Sequence, residues 1–228
     1  MAPPLRFDFP PFQLSGVVVG ALLNHAPQLA ALGDAVNAPP YKTAPRAPVL
    51  QVKPRNTFAA DGDAIEVPAD ASELEVGASL AIVIGRTACC VAEAQALDFI
   101  AGYTIAADLS VALDTPDRHY RPNVRLRARD GFCPLGPRVW PAAAVARPDA
   151  LAVSVAVDGV VVQRTDTADR VRGVARLLAE VSAFMTLQPG DVLLLGASHG
   201  APRARAGQAV AITIDGLGVL HHHLVAAA

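Results

Sequence analysis

The sequence predicts an α+β fold in which strands dominate. Three observations support this. Short β-type runs recur along the whole chain, two pairs of them are joined by tight-turn punctuation, and only two stretches have helical spacing. There is no regular strand–helix alternation of the type that builds a doubly wound parallel sheet.

The strand candidates are 16–23, 48–53, 79–86, 102–109, 151–157, 160–164, 191–195, 208–214 and 219–225. Asp158-Gly159 divides "VSVAVDGVVVQR" into a hairpin, because both central residues of a primed two-residue turn take positive φ, which suits Asp and Gly. "VAITIDGLGVLHHHLV" turns similarly between Asp215 and Gly218. Helical spacing appears at 91–100 and at 168–186. In the second, Val171, Val174, Leu178, Val181 and Met185 form one stripe with arginines opposite, and Thr167 is a candidate cap. Residues 110–138 form a long arginine-rich irregular segment, suited to binding a small anion.

At 228 residues the chain accommodates one sizeable domain, expected over 16–228 after a Pro-rich tail at 1–15. "GVVVGALL" reads as a first core strand rather than a signal-peptide core, since prolines and Asp8 precede it and no small-residue cleavage site follows. A net charge of -2 with no basic patch disfavours nucleic acid, and no apolar run approaches the ~18 residues of a membrane span. The expectation is a cytoplasmic protein, with Cys89, Cys90 and Cys133 as small buried filler in a reducing compartment.

Three short motifs resemble chemistry. "GASHG" at 196–200 matches Gly-x-Ser-x-Gly, but "APRARAGQ" after Ser198 offers no helix for a nucleophile elbow, and a loop between strands is expected. "HHH" at 221–223 alternates faces on a strand, so at most His221 and His223 could share a metal, with no third ligand nearby. "ELEVGASLAIVIGR" at 73–86 opens with Glu73 and Glu75 and runs into an apolar strand; the two carboxylates are expected in solvent at the strand entry.

That last stretch, followed by "AEAQALDFIAGYTIAADLS", resembles the core of the fumarylacetoacetate hydrolase family. "YKTAPRAPVLQVKPRNT" (41–57), "YRPNVRLRARDGFCPLGP" (120–137) and "FMTLQPGDVLLLG" (184–196) continue the similarity in order. Within the family, the chain is similar to the isomerase/decarboxylase branch of 4-hydroxyphenylacetate degradation. The resemblance implies a mixed β-sheet roll with few peripheral helices. It also implies a Mg²⁺ or Mn²⁺ ion held by a Glu-x-Glu pair before the central strand and by an aspartate on the next one. Hard cations prefer such oxygen ligands, and chelation of a 2-oxo acid stabilises an enolate.

Carried over by position, Asp108 matches the aspartate, while Gly77 and Ser79 stand where the two glutamates belong. The family's "NYxxHxxE"-like base pair falls on Gln28 and Ala31, with His25 at the tyrosine position. The catalytic lysine corresponds to Arg127, and the "GTPxG"-like turn to "GASHG" with Ala197. Lys53, Arg118, Tyr120, Arg127 and His25 remain as substrate-binding candidates.

The resemblance therefore implies a decarboxylase/isomerase component that lacks a complete metal site of its own. It would pair with a homologous metal-holding subunit or form a homo-oligomer, and it would take a small 2-oxo di- or tricarboxylate. The implied substrates are 5-carboxymethyl-2-oxo-hex-3-ene-1,7-dioate and 2-hydroxyhepta-2,4-diene-1,7-dioate. The alternatives are an active enzyme with a site rearranged around Asp108, Glu73, Glu75, His25 or Lys53, and a non-catalytic binding protein on the same fold.

Overall fold

The computed structural model describes residues 16–39, 42–112 and 123–227. Its centre is an antiparallel pair of long strands, β5 (Leu74–Ile84) and β6 (Ile100–Val111), numbered in chain order with the elements given below. Every residue of β5 is buried, so the strand reads as a continuous apolar run because it is covered on both faces. The sheet extends outward from this pair. On one side lie β10 (Val192–Leu194), β1 (Val18–Leu22) and β2 (Val49–Lys53); on the other lie β7 (Cys133–Pro141) and the short β3 (Phe58–Ala59). β11 (Arg203–Ala204) pairs with the start of β5.

A second sheet has the order β4 (Ala64–Val67), β13 (Gly218–Ala226), β12 (Ala209–Ile214), β8 (Ala152–Val157) and β9 (Val160–Asp166). In β12 and β8 the fully buried residues alternate with more accessible ones, as expected when one face meets the core. One apolar cluster joins the sheets, with Val155, Ile212 and Leu220 of the second sheet packed into the same core as Leu80, Ile82 and Leu109 of the first.

The expected strands are present, and so are both hairpins. Asp158 and Gly159 have φ of 49° and 79°, as a primed turn requires. The two expected helices differ from expectation. Residues Glu93–Phe99 form a 3-10 helix, and the amphipathic helix α3 spans only Val174–Ser182. The residues expected to open this helix are held extended: His25 and Arg170 form an isolated β-bridge, Val171 N–H donates to Asn24 O, and Arg172 N–H to Asn24 Oδ1. Thr167 is not the cap; Asp149 Oδ1 accepts Val174 N–H instead. Two further helices are short, α1 (Ala26–Leu32) and α2 (Val124–Arg127).

Two expectations about exposure are overturned. Cys133 is buried, but Cys89 and Cys90 are exposed, because the chain leaves β5 at Ile84 and turns at the surface before the 3-10 helix. Glu75 is not solvated at the strand entry: it is 7% exposed, since β11 and β6 flank it. The histidine run behaves as a terminal strand, with His222 fully buried and His221 and His223 outward. Among the described residues no helix is long and apolar enough to cross a membrane.

Candidate functional site

A small cavity of about 40 Å³ opens where the start of β5, the far half of β6, the end of β1, α2 and the 196–201 loop meet. Its polar lining includes Gln28, Glu75, Asp108, Arg127, Ser198 and His199. The space admits a few waters or one carboxylate group.

The strand ladder sets the floor. Gly77 pairs directly with Asp108, and Glu75 with Ser110, so residues 75, 77 and 79 share one face of β5. A Cβ at Gly77 would lie 2.8 Å from both Ala197 Cβ and Asp108 O, so the glycine lets the loop and β6 close over the strand. Ser79 is buried; its hydroxyl donates to Leu80 O and accepts from Gly196 N–H, which fixes the base of the loop. Gly196 has φ of 103°, and a Cβ there would come within 2.6 Å of Ala21 O. The loop leads to β11 with no intervening helix, so "GASHG" is a lining turn rather than a nucleophile elbow.

Asp108 is buried and surrounded by cationic and amide groups. Gln51 and Lys53 alternate with exposed Val52 on β2, and both point inward. Gln51 Nε2 donates to Asp108 Oδ2 at 2.5 Å, and Arg127 Nη1 approaches the same oxygen at 3.4 Å. Lys53 Nζ lies 2.6 Å from Asp108 Oδ1. The same ammonium also donates to the carbonyls of Leu109, Arg127 and Phe132, each at 3.2 Å, so it ties the carboxylate to three backbone positions. Burial pushes the Asp108 carboxyl up, but the Lys53 and Arg127 charges and the hydrogen bond from Gln51 outweigh it and hold the group below the ordinary carboxylate range.

Arg127 comes from α2, inside the arginine-rich segment. Its neighbours Arg125 and Arg129 point the other way and share Asp70 at 3.0 Å, while Asn56 donates to Ala128 O and Asp130. Lys53 binds the carbonyl of Arg127 from inside, so α2 is fastened on both sides.

His25 is buried beside the cavity but does not line it. Its Nδ1 accepts the His199 N–H at 3.0 Å, so this nitrogen carries no proton. Burial first, and then the Arg170 charge, hold its pKa below the usual histidine value. Gln163 donates to His199 O and Gly200 O, and Ser198 Oγ bonds Thr165 and Arg170. The loop is therefore tied down by side chains behind it.

Among the sequence candidates, Asp108, Arg127 and Lys53 come together, His25 supports the loop, and Arg118 and Tyr120 lie outside the described residues. Gln51 was not among the candidates, and Glu75 was one only for a rearranged site. Gln51 was findable from its spacing of two from Lys53 on one strand. Among the described residues no three His, Cys, Asp or Glu side chains are grouped to hold a metal.

The sequence profile described as fumarylacetoacetate (FAA) hydrolase C-terminal matches residues 17–225. The chain belongs to the fumarylacetoacetate hydrolase family. It is 35% identical over 212 residues to the 4-hydroxyphenylacetate degradation bifunctional isomerase/decarboxylase of Escherichia coli, covering 93% of this chain and 48% of that protein. The chain thus spans about half the length of that relative. Its fold matches 5-carboxymethyl-2-hydroxymuconate delta-isomerase from Mycobacterium smegmatis with a TM-score of 0.79, at 33% identity over 94% of this chain and 80% of the other. It also matches fumarylpyruvate hydrolase from Pseudomonas aeruginosa, a complex with Mn²⁺ and pyruvate, with a TM-score of 0.81, at 26% identity over 100% of this chain and 99% of the other.

Proposed function

We propose that this chain is a component of a decarboxylase/isomerase of aromatic catabolism and does not hold the family's divalent metal on its own. The substrates in this reading are 5-carboxymethyl-2-oxo-hex-3-ene-1,7-dioate and 2-hydroxyhepta-2,4-diene-1,7-dioate. The observation that carries it is the Lys53–Asp108 ion pair at 2.6 Å, at the one ligand position of the family that the sequence keeps. Mg²⁺ and Mn²⁺ need several anionic or carbonyl oxygens. Here one oxygen of Asp108 faces an ammonium and the other an amide and a guanidinium, while Gly77 and Ser79 bring no carboxylate. A dication would meet two fixed positive charges at this carboxylate, so these residues do not fit it.

The chain's own residues bind and orient. Arg127 offers a cation at the cavity for a carboxylate of the substrate, and its planar fork suits that group. Gln28 and Ser198 add hydrogen-bonding groups to the wall. Lys53 holds Asp108 and the Arg127 carbonyl in place from beneath and does not itself line the cavity. A homologous metal-holding subunit supplies the reacting centre.

A second reading has its own observation: Glu75 lines the same cavity and is 7% exposed. In an active, rearranged site its carboxylate would take the proton from the carbon beside a 2-oxo group while the electron pair forms the enol. Turnover assays of the purified chain, alone and with a metal-holding homologue, separate the two. The first reading expects no turnover by the chain alone, with or without Mg²⁺, and metal-dependent turnover by the pair that falls on Arg127→Gln. Turnover by the isolated chain that is lost on Glu75→Gln would replace it with the second.

A further inference from the structure

Cys89 and Cys90 take no part in the cavity. In an extended chain adjacent side chains point to opposite faces, which would keep two neighbouring thiols apart. Cys90 is not extended: its φ is 50°, in the left-handed region that residues with a side chain rarely adopt. The strand alternation ends there, and both residues are exposed on one surface turn. The neighbouring Cys89 thiol holds the Cys90 thiol above its ordinary range.

The turn is fixed in place. Ala88 and Leu187 exchange two backbone hydrogen bonds, of 2.8 and 2.9 Å. Cys90 N–H donates to Ser182 O at 2.8 Å, Val91 N–H donates to Ser182 Oγ at 3.0 Å, and Cys90 Sγ lies 4.0 Å from Ala183 O at the end of α3. Two accessible sulfurs on a fastened turn form a preorganised pair of soft donors, and soft centres select thiolate ligands.

We propose that Cys89 and Cys90 form a vicinal dithiol site that captures a trivalent organoarsenical. Each sulfur forms one bond to arsenic, the arsenic–oxygen double bond of the arsine oxide is lost, and its oxygen leaves as water with the two thiol protons. Arsenic stays trivalent, so no oxidant or reductant is consumed. The chelate ring is what a single thiol cannot make. The site lies beyond the Ile84 end of β5, whereas the cavity lies at the Glu75–Gly77 end, so capture and cavity chemistry are separable. Cys133 is an internal control: it is fully buried, and burial pushes its thiol up to about 12.

The test is intact-mass spectrometry of the full chain after one equivalent of phenylarsine oxide and then excess 2-mercaptoethanol. The expected result is one phenylarsenic per chain that survives the monothiol and is released by 2,3-dimercaptopropanol. Cys89→Ser and Cys90→Ser should each lose the monothiol-resistant adduct, and Cys133→Ser should keep it. Absence of the adduct on the unaltered chain, its release by 2-mercaptoethanol, or its survival in either single variant would overturn the proposal.

Discussion

Lys53 Nζ stands 2.6 Å from Asp108 Oδ1 and also binds the backbone carbonyl of Arg127 at 3.2 Å. One fully buried lysine thus joins the strand floor of the cavity to the turn that brings in its guanidinium. The ion pair holds this carboxylate from within the chain.

Removing the lysine should therefore unfold more than it opens. Lys53→Met leaves the buried Asp108 without its nearest cation and three carbonyls without their donor, a loss of about 3–5 kcal/mol. Urea unfolding of Lys53→Met, Asp108→Leu and the double variant checks this, and the double should recover much of the loss. The pair also has a pH signature. Asp108 titrates in the folded state below its ordinary 3.8, so its contribution is present above that value and fades as the pH falls beneath it. Asp108→Asn should flatten stability in that acid range.

His222 predicts a second pH dependence, at higher pH. It is fully buried, neither ring nitrogen has a hydrogen-bond partner among the described residues, and burial, assisted by His223 and His221, pushes its pKa from 6.5 down to about 4. The folded state binds the proton less readily than the unfolded chain, so stability is complete above 6.5 and falls as the pH drops toward 4. Between pH 7.5 and 5 the loss should be about 2 kcal/mol by urea midpoint. His222→Leu should remove most of it and leave the smaller share of His25, whose pKa is lowered in the same sense.

His25 is predicted to matter through the loop. Its Nδ1 accepts the His199 N–H, so His25→Phe frees that amide, whereas His25→Asn offers a side-chain oxygen in its place. Hydrogen exchange at His199 should speed up roughly tenfold in His25→Phe, for a bond of about 1.4 kcal/mol, and stay near the unaltered rate in His25→Asn. Equal rates in the two variants would count against this role.

Gly77 tests the close packing of β5 against Ala197 and β6. Gly77→Ala places a methyl group 2.8 Å from Ala197 Cβ and Asp108 O, and overpacking of this type costs about 1–3 kcal/mol. A thermal midpoint unchanged from the parent chain would show that the loop yields without strain.

Much of the architecture was readable because β-type runs and Asp-Gly punctuation report local geometry directly. β7 was not, since "CPLGPRVWP" carries three prolines and a glycine and reads as loop. α1 was missed because none of its residues is buried and it has no apolar stripe to signal it. The amphipathic spacing of 168–186 was genuine only from Val174, because Asn24 and His25 hold the preceding residues extended, a tertiary constraint that periodicity does not encode. At the site, the family resemblance singled out Gly77 and Asp108, and the ladder pairs them. The resemblance could not show that Glu75, on the same face, is enclosed by β11, nor that Lys53 reaches Asp108 from β2, three strands out from β5.

The most direct test of the central claim is a Mn²⁺ titration of the purified chain, followed by electron paramagnetic resonance of free Mn²⁺ and by bound-metal analysis after gel filtration. Free Mn²⁺ is expected throughout, with no stoichiometric binding at micromolar concentrations, for the parent chain and for Asp108→Ala alike. One Mn²⁺ retained per parent chain and lost on Asp108→Ala would contradict it.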